Sequence, residues 1–268
     1  MFQQIASGVY FLEVGKGISR SNVYFVRSSS SWILIDAASA NYGRLIRKTA
    51  ESLFGANRPP KSILLTHDHP DHAGSARELA LLWNCPVYVH TNELTLALNN
   101  DLATVERFAN PLDKKMVLPL LRILPRRRVE LILEKASLKD VVKALDPGAP
   151  VPGLPDWNCV PVPGHTPGQV AFFRASDGVL ITGDALVTVD LNSLWGFLLW
   201  SLHLSKQKIS SPPSYSTWNK QMARESVVVL AGLEPRVLAT GHGAPMTGDD
   251  ITHRLRIFAN NFAGHLEY

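Results

Sequence analysis

Six consecutive residues, from His67 to His72, contain three imidazoles and two carboxylates and constrain the chain more than any other feature. They follow the apolar run SILLT, which predicts a strand over 62–66. In an extended chain, residues two apart point the same way, so His67 and His69 can converge on one ion while Asp71 is turned towards a neighbouring one. Zinc, iron and manganese all accept imidazole and carboxylate ligands. The segment therefore predicts a metal site where a strand leaves a sheet.

Short β-rich runs separated by turn-forming residues make up much of the remaining chain. The predicted strands are 9–14, 22–28, 32–37, 62–66, 86–90, 158–162, 169–174, 179–182 and 236–240. The predicted helices are 42–54, 73–83, 213–230 and 251–262. This order indicates a mixed α/β (α+β) fold in which several strands end in polar motifs.

The composition changes between residues 91 and 153, where MVLPLLRILPRRRVELILEK leads into a proline-rich stretch. We predict one domain over 1–268, with 91–153 as an inserted helical cap. Residues 110–145 carry nine Lys or Arg against four Asp or Glu, a net of +5, whereas the whole chain has a net charge of +4. The basic character is thus local to the cap. No nucleic-acid partner is expected, and the run at 126–128 is interpreted as a solvated face.

Cysteine content and apolar patterning favour a cytoplasmic protein. Cys85 and Cys159 are far apart and in no metal-binding spacing, which predicts neither a disulfide framework nor a zinc ribbon and leaves a single disulfide open. The first residues do not have the pattern of a secretory signal. The longest apolar stretch, 191–202, is shorter than the roughly 20 residues that cross a bilayer.

Three further polar residues each follow a predicted strand and stand next to glycine: His165 in PGHTPG, Asp184 in TGDAL and His242 in TGHGAP. With the HxHxDH segment before them, in this order, the chain resembles the metallo-β-lactamase superfamily over all of its length except the cap. The resemblance implies a four-layer αββα sandwich.

The same resemblance implies two groups of metal ligands joined by one bridging carboxylate. The groups are His67, His69 and His165, then Asp71, His72 and His242, with Asp184 as the bridge. Zinc is favoured for the two divalent ions. Iron or manganese stays open, because imidazole and carboxylate ligands do not by themselves select one of these metals. A hydroxide shared by two metals can attack an ester, lactone or thioester carbonyl, with Asp71 and Asp184 as the expected catalytic residues.

The remaining acidic residues and histidines near or outside these motifs are not expected to bind metal directly. Asp36, after the run WILI, matches the family's strand-ending aspartate and is expected to orient a ligand. Asp68 is expected to face solvent. The remaining histidines have no motif around them and are predicted not to be ligands: His90, His203, His253 and His265.

Departures from subfamily patterns narrow the expected activity. Asp184 stands where cysteine-containing β-lactamases have Cys, so β-lactam hydrolysis is expected at most as a side activity. The context ATGHGAPM differs from that of glyoxalase II thioesterases, and Val187 replaces the Tyr typical of acyl-homoserine-lactone lactonases. Lactone or ester cleavage stays open, and an iron-dependent dioxygenase of the same fold is the alternative. A nuclease and a non-catalytic binding module are disfavoured.

An apolar segment over 191–204 follows Asp184 and, with the cap, is predicted to shape a pocket for a small molecule with an apolar part. Its large side chains are Trp195, Phe197, Leu198, Leu199 and Trp200. Packing between cap and core or a homodimer contact would explain them equally well. Contact of the basic, apolar cap with a membrane surface is a less favoured third reading.

Overall fold

The computed structural model describes residues 2–99 and 101–263. Within these residues two β-sheets pack face to face. Chain order is also spatial order in the first sheet, which contains β1 (Gln3–Ala6), β2 (Val9–Val14), β3 (Ser21–Ser28), β4 (Ser31–Ile35), β5 (Ile63–Leu64), β6 (Val87–His90) and β7 (Val142–Leu145). The same holds for the second, with β8 (Asn158–Pro161), β9 (Val170–Arg174), β10 (Val179–Ile181), β11 (Val237–Ala239) and β12 (Met246–Thr247).

Helices lie between and after these strands. They are α1 (Gly43–Phe54), α2 (Pro70–Ala73), α3 (Ala76–Trp83), α4 (Thr91–Asn99), α5 (Leu102–Phe108), α6 (Leu118–Ile123), α7 (Arg126–Ala136), α8 (Leu194–Ser201), α9 (Lys220–Gly232) and α10 (Ile251–Ala263). A π-helical turn over Asp113–Val117 leads into α6, and short 3-10 turns cover Gly17–Ser19 and Gly183–Ala185.

The burial pattern of β3 shows how the layers form. Val23 and Phe25 point to the outer side of the first sheet and pack with apolar residues of α1 and α3, whereas Tyr24 and Val26 pack between the two sheets. This alternation is the period of two that a strand imposes. Leu180 of β10 packs on the outer side of the second sheet, in a cluster with apolar residues of α9 and α10. The order helix, sheet, sheet, helix confirms the predicted four-layer αββα sandwich.

Two predicted helices differ from the observed ones. The helix predicted over 213–230 begins only at Lys220, where Asn219 accepts hydrogen bonds from two backbone N–H groups and caps the first turn. The helix predicted over 73–83 is interrupted between α2 and α3. At the interruption, a side chain on Gly74 would lie 2.4 Å from the backbone nitrogen of Ala40, so this turn must pack closely against the preceding loop.

The predicted cap includes one strand of the core. Helices α4 to α7 cover its first part, but β7 then pairs in parallel with β6 and closes the edge of the first sheet. The helical part therefore ends at Ala136, not at Gly153.

Cys85 and Cys159 are both buried and free, so they form no disulfide. Among the described helices, none combines the length and apolar character needed to span a membrane.

Candidate metal centre

Polar residues follow two pairs of parallel strands at the same edge of the sandwich. Asp36 and His67 come after the parallel strands β4 and β5 of the first sheet. Asp184 and His242 come after the parallel strands β10 and β11 of the second. Because parallel strands end at a common edge, the loops that follow them converge there. This convergence places residues far apart in sequence within one site.

Helix α2 brings two further side chains to this edge. His69 precedes its first turn in an extended conformation, and Pro70 occupies the first helical position, where its missing N–H costs nothing. The turn then directs Asp71 and His72 back over the strand ends. His165 arrives from the loop after β8.

Three imidazoles form the first group of the site. Nε2 of His67 lies 3.1 Å from Nδ1 of His69, and Nε2 of His165 lies 2.9 Å from the same His69 nitrogen. The ring nitrogens of His67, His69 and His165 could therefore share one metal ion.

The second group adds carboxylates to two imidazoles. Oδ2 of Asp71 lies 3.3 Å from Nε2 of His242 and 3.8 Å from Nε2 of His72. Oδ2 of Asp184 lies 3.1 Å from Nε2 of His242 and 3.5 Å from Nε2 of His165. One carboxylate therefore contacts a histidine of each group.

The structure brings all seven predicted ligand residues together. Their ligand atoms form three overlapping sets, within each of which the atoms lie no more than 4.8 Å apart. The sets are His67 with His69 and His165, His67 with His72 and Asp184, and Asp71 with His72 and His242. The first and last match the two groups that the family resemblance implies.

Two buried atoms at the centre fit a bound cation. Nε2 of His72 and Oδ1 of Asp184 face each other at 3.5 Å, and neither has a hydrogen-bond partner among the described residues. A buried polar atom without a partner costs about 1–3 kcal/mol. A divalent ion between imidazole nitrogens and carboxylate oxygens would satisfy both atoms, so the donor set fits a metal. Space beside Asp184 is tight, because a side chain on Gly241 would lie 2.0 Å from its Oδ1.

Charge differs between the two groups. Burial and the neighbouring His69 lower the pKa of His165 to about 3, which keeps its imidazole neutral. Burial also opposes the charged form of His242, but Asp184 and Asp71 outweigh it and raise its pKa to about 10. For His72, burial is likewise outweighed by carboxylates, led by Asp184, and the pKa rises well above its ordinary value. Without metal, His72 and His242 therefore hold protons that His165 does not.

Asp36 sits behind the site and is fully buried. Its Oδ2 accepts a hydrogen bond from Nδ1 of His72 at 2.9 Å, and its Oδ1 accepts one from the backbone N–H of Thr66 at 2.8 Å. The bond to His72 leaves Nε2 of that ring facing the site. This arrangement is the orienting role expected for Asp36.

Glu93, at the start of α4, is a site residue that the sequence reasoning missed. Its side chain is buried, and its carboxylate accepts hydrogen bonds from the backbone N–H groups of Asp68 at 2.7 Å and Gly168 at 2.9 Å. Asp68 stands between His67 and His69, whereas Gly168 closes the loop that carries His165. One buried carboxylate thus joins the two loops that supply the first group.

The expectation that Asp68 faces solvent is wrong. Its side chain is half-buried, and burial together with the nearby Glu93 carboxylate raises its pKa well above the usual range. The other predicted non-ligands stay outside the three sets of ligand atoms: His90, His203 and His253. His265 lies outside the described residues.

The rim of the site contains one residue of the predicted apolar pocket. Trp200 is buried, its ring centroid lies 6.5 Å from that of His242, and the Arg20 guanidinium stacks over it at 3.5 Å. Trp195, in contrast, is 73% exposed and points to solvent. Tyr215 is near enough to the site that burial and the charges of Asp184 and Asp71 raise its pKa to about 12.

Comparisons with known proteins identify the family of the chain. The family model described as the metallo-β-lactamase superfamily matches residues 17–242. The chain is 34% identical over 264 residues to the probable metallo-hydrolase YflN of Bacillus subtilis (strain 168), covering 97% of this chain and 93% of that protein.

Solved structures share the fold. The metallo-β-lactamase family protein TTHA1429 from Thermus thermophilus superposes with a TM-score of 0.65 at 24% identity, covering 98% of this chain and 80% of that one. AidC, a dizinc quorum-quenching lactonase, superposes with a TM-score of 0.61 at 17% identity, covering 90% of each chain. From the family match, the 34% identity to a metallo-hydrolase and the arrangement of the site, we conclude that this chain belongs to the metallo-β-lactamase superfamily of metal-dependent hydrolases.

Proposed function

We propose that the chain is a binuclear hydrolase that cleaves an ester, lactone or thioester bond. The observation that carries the proposal is the position of the Asp184 carboxylate, which is within 3.5 Å of histidine nitrogens from both groups. The residues that would hold the ions are His67, His69 and His165 for one, Asp71, His72 and His242 for the other, and Asp184 for both.

Divalent ions bound there would supply Lewis acidity and water of lowered pKa, the chemistry that carbonyl hydrolysis at neutral pH requires. The protein's own groups prepare the site for it. Asp184 is almost fully buried, and His242 and His72 hold its pKa far below the ordinary value despite that burial, so it stays an anion. Asp71 has 34% of its side chain exposed and is the carboxylate that a substrate can reach, which suits it to contact substrate.

The substrate we propose is a small molecule with an apolar part. Trp200 lies beside the site, and the half-exposed Tyr215 is close enough for the charges of Asp184 and Asp71 to raise its pKa. AidC, which has the same fold, is a dizinc lactonase that was crystallised with a product, N-hexnoyl-L-homoserine. In this chain the position of the lactonase Tyr is Val187, which is fully buried, so esters and thioesters are proposed alongside lactones.

Zinc is the metal we propose, with iron or manganese as substitutes that the same ligands accept. The complete second group favours hydrolysis over the iron-dependent dioxygenase alternative. A cytoplasmic location is also part of the proposal, supported by two buried cysteines that remain free thiols.

The test is a screen of the zinc-loaded protein against p-nitrophenyl esters, lactones, thioesters and the β-lactam nitrocefin. Turnover of at least one carbonyl class other than β-lactam is expected. Asp184→Asn should reduce it by more than the roughly 10- to 100-fold typical of losing a residue that only orients a ligand. Asp249→Asn, an exposed carboxylate on the surface, is the matched control and should keep full turnover. Equal rates for both variants would refute the proposal.

A further inference from the structure

Two segments, residues 113–123 and 194–204, expose several large apolar side chains to solvent. We call these two segments together the docking face. Ile123 is 78% exposed in the first, and Leu194 and Trp195 are 83% and 73% exposed in the second. Single exposed apolar residues are normal, but runs of large ones mark interaction sites. This exposure indicates that the docking face binds a partner.

Helix α8, in the second segment, has no polar face to turn towards water. Its sequence is LWGFLLWS, with no charged residue. A helix that is apolar all round is normally buried. Here Trp200 anchors one side under Arg20, while Leu198 and Leu199 remain 43% and 39% exposed on the helix. The helix is fixed to the protein by one side only.

The two segments begin next to the same loop, 211–215. The backbone N–H of Leu112, just before the first segment, donates to the carbonyl of Tyr215 at 2.8 Å. The backbone N–H of Ser214 donates to Oδ1 of Asn192, two residues before α8, at 2.7 Å. The start of each segment is thus bonded to this loop, on the side of the molecule where Tyr215 approaches the metal centre.

Positive charge accompanies the apolar side chains. Lys114 and Lys115 of the docking face are exposed, and among the described residues no carboxylate lies within 4.0 Å of either ammonium group, the distance limit for an ion pair. Residues 191–224 contain no Asp or Glu at all. The docking face is therefore apolar and carries unpaired cations.

We propose that the docking face binds the surface of an anionic lipid membrane. Its apolar side chains would enter the boundary between headgroups and acyl chains, and its cations would face lipid phosphates, which is how interfacial helices combine two weak signals into stable binding. A second copy of the chain on this face would instead bring the same unpaired cations together across a two-fold axis. The inference goes beyond the proposed hydrolase activity and does not depend on it.

The experiment is flotation of the full-length, zinc-loaded protein with vesicles of phosphatidylcholine alone or of an equimolar mixture with phosphatidylglycerol. Binding to the anionic vesicles, reduced by salt, is expected. Lys114→Glu with Lys115→Glu should weaken it at least about 25-fold, since two cations of the docking face are replaced by anions. The matched control, Arg44→Glu with Lys48→Glu, reverses two exposed charges on α1 and should bind like the unchanged protein.

A second readout tests insertion of the apolar segment. On anionic vesicles the tryptophan emission should shift to shorter wavelength, and Trp195→Phe should remove most of the shift while leaving flotation largely intact. Absence of flotation with anionic vesicles, or equal flotation with both vesicle types, would overturn the proposal. So would a stable dimer that Leu194→Ser with Trp195→Ser converts to monomer while the unchanged protein ignores vesicles, because the face would then be a homodimer interface.

Discussion

Replacing Glu93 by Gln should loosen the metal centre without touching any proposed ligand. The Glu93 carboxylate accepts one backbone hydrogen bond from each of the two loops that carry His67, His69 and His165. A glutamine of the same shape keeps one oxygen but places an NH2 group against the other N–H. One loop therefore loses its acceptor.

The magnitude follows from the kind of bond that is lost. A buried hydrogen bond to a charged group contributes about 1.5–3 kcal/mol, so the free energy of unfolding of metal-free protein should fall by that amount. Residues that hold ligands in place typically change metal affinity by roughly 10- to 100-fold when replaced, and Glu93→Gln should weaken zinc binding within this range.

Urea unfolding followed by circular dichroism measures the first quantity, and competition with a chromophoric chelator measures the second. Glu134→Gln, on the exposed surface of α7, is the control for loss of one negative charge. If Glu93→Gln matches the control in both stability and zinc affinity, the carboxylate does not position the loops.

Three further predictions concern the same centre. Gly168→Ala places a methyl group 2.5 Å from Cγ of Glu93, so it should lower stability and zinc affinity, and the double variant with Glu93→Gln should lose less than the sum of the two single effects. Asp36→Asn should weaken binding of the second ion by roughly 10- to 100-fold, measured by chelator competition, and an unchanged affinity would refute its orienting role. Because carboxylates outweigh burial and raise the pKa values of His72 and His242, that of His242 to about 10, these rings hold protons at neutral pH. Loading the second ion should therefore release protons, its affinity should fall as the pH drops below that value, and calorimetry in buffers of different ionisation enthalpy that finds no release would contradict this.

Local patterns made most of the ligand set predictable. The HxHxDH segment is contiguous and follows an apolar strand, and His165, Asp184 and His242 each stand beside glycine at the end of a β-rich run. Glu93 has no such signal, because its partners lie 25 and 75 residues away and bind it through backbone N–H groups. One clue exists in retrospect, since Glu93 also comes just after a strand, β6, at the same edge of the sheet.

The differences between the predicted and the observed elements have local physical causes. Strand β7 has only four residues, too few to show an alternating pattern, and its place in the sheet comes from parallel pairing with β6. Helix α9 begins at Lys220, seven residues after the predicted start at 213, because the side chain of Asn219 caps its first turn. The exposed position of Trp195 could not be predicted, because an apolar run has the same sequence pattern whether it lines a pocket or lies on the surface.

We propose that hydrolysis requires two metal ions per chain, which His67, His69 and His165, Asp71, His72 and His242, and Asp184 would hold. The most direct measurement is a titration of metal-free protein with zinc, in which bound metal is counted by plasma mass spectrometry and turnover of a responsive ester, lactone or thioester is followed in the same samples. We expect turnover to rise to its maximum as about two ions bind per chain, and we expect Asp184→Asn to reach neither full metal content nor full turnover. Full turnover with one ion, or in the metal-free protein, would contradict it.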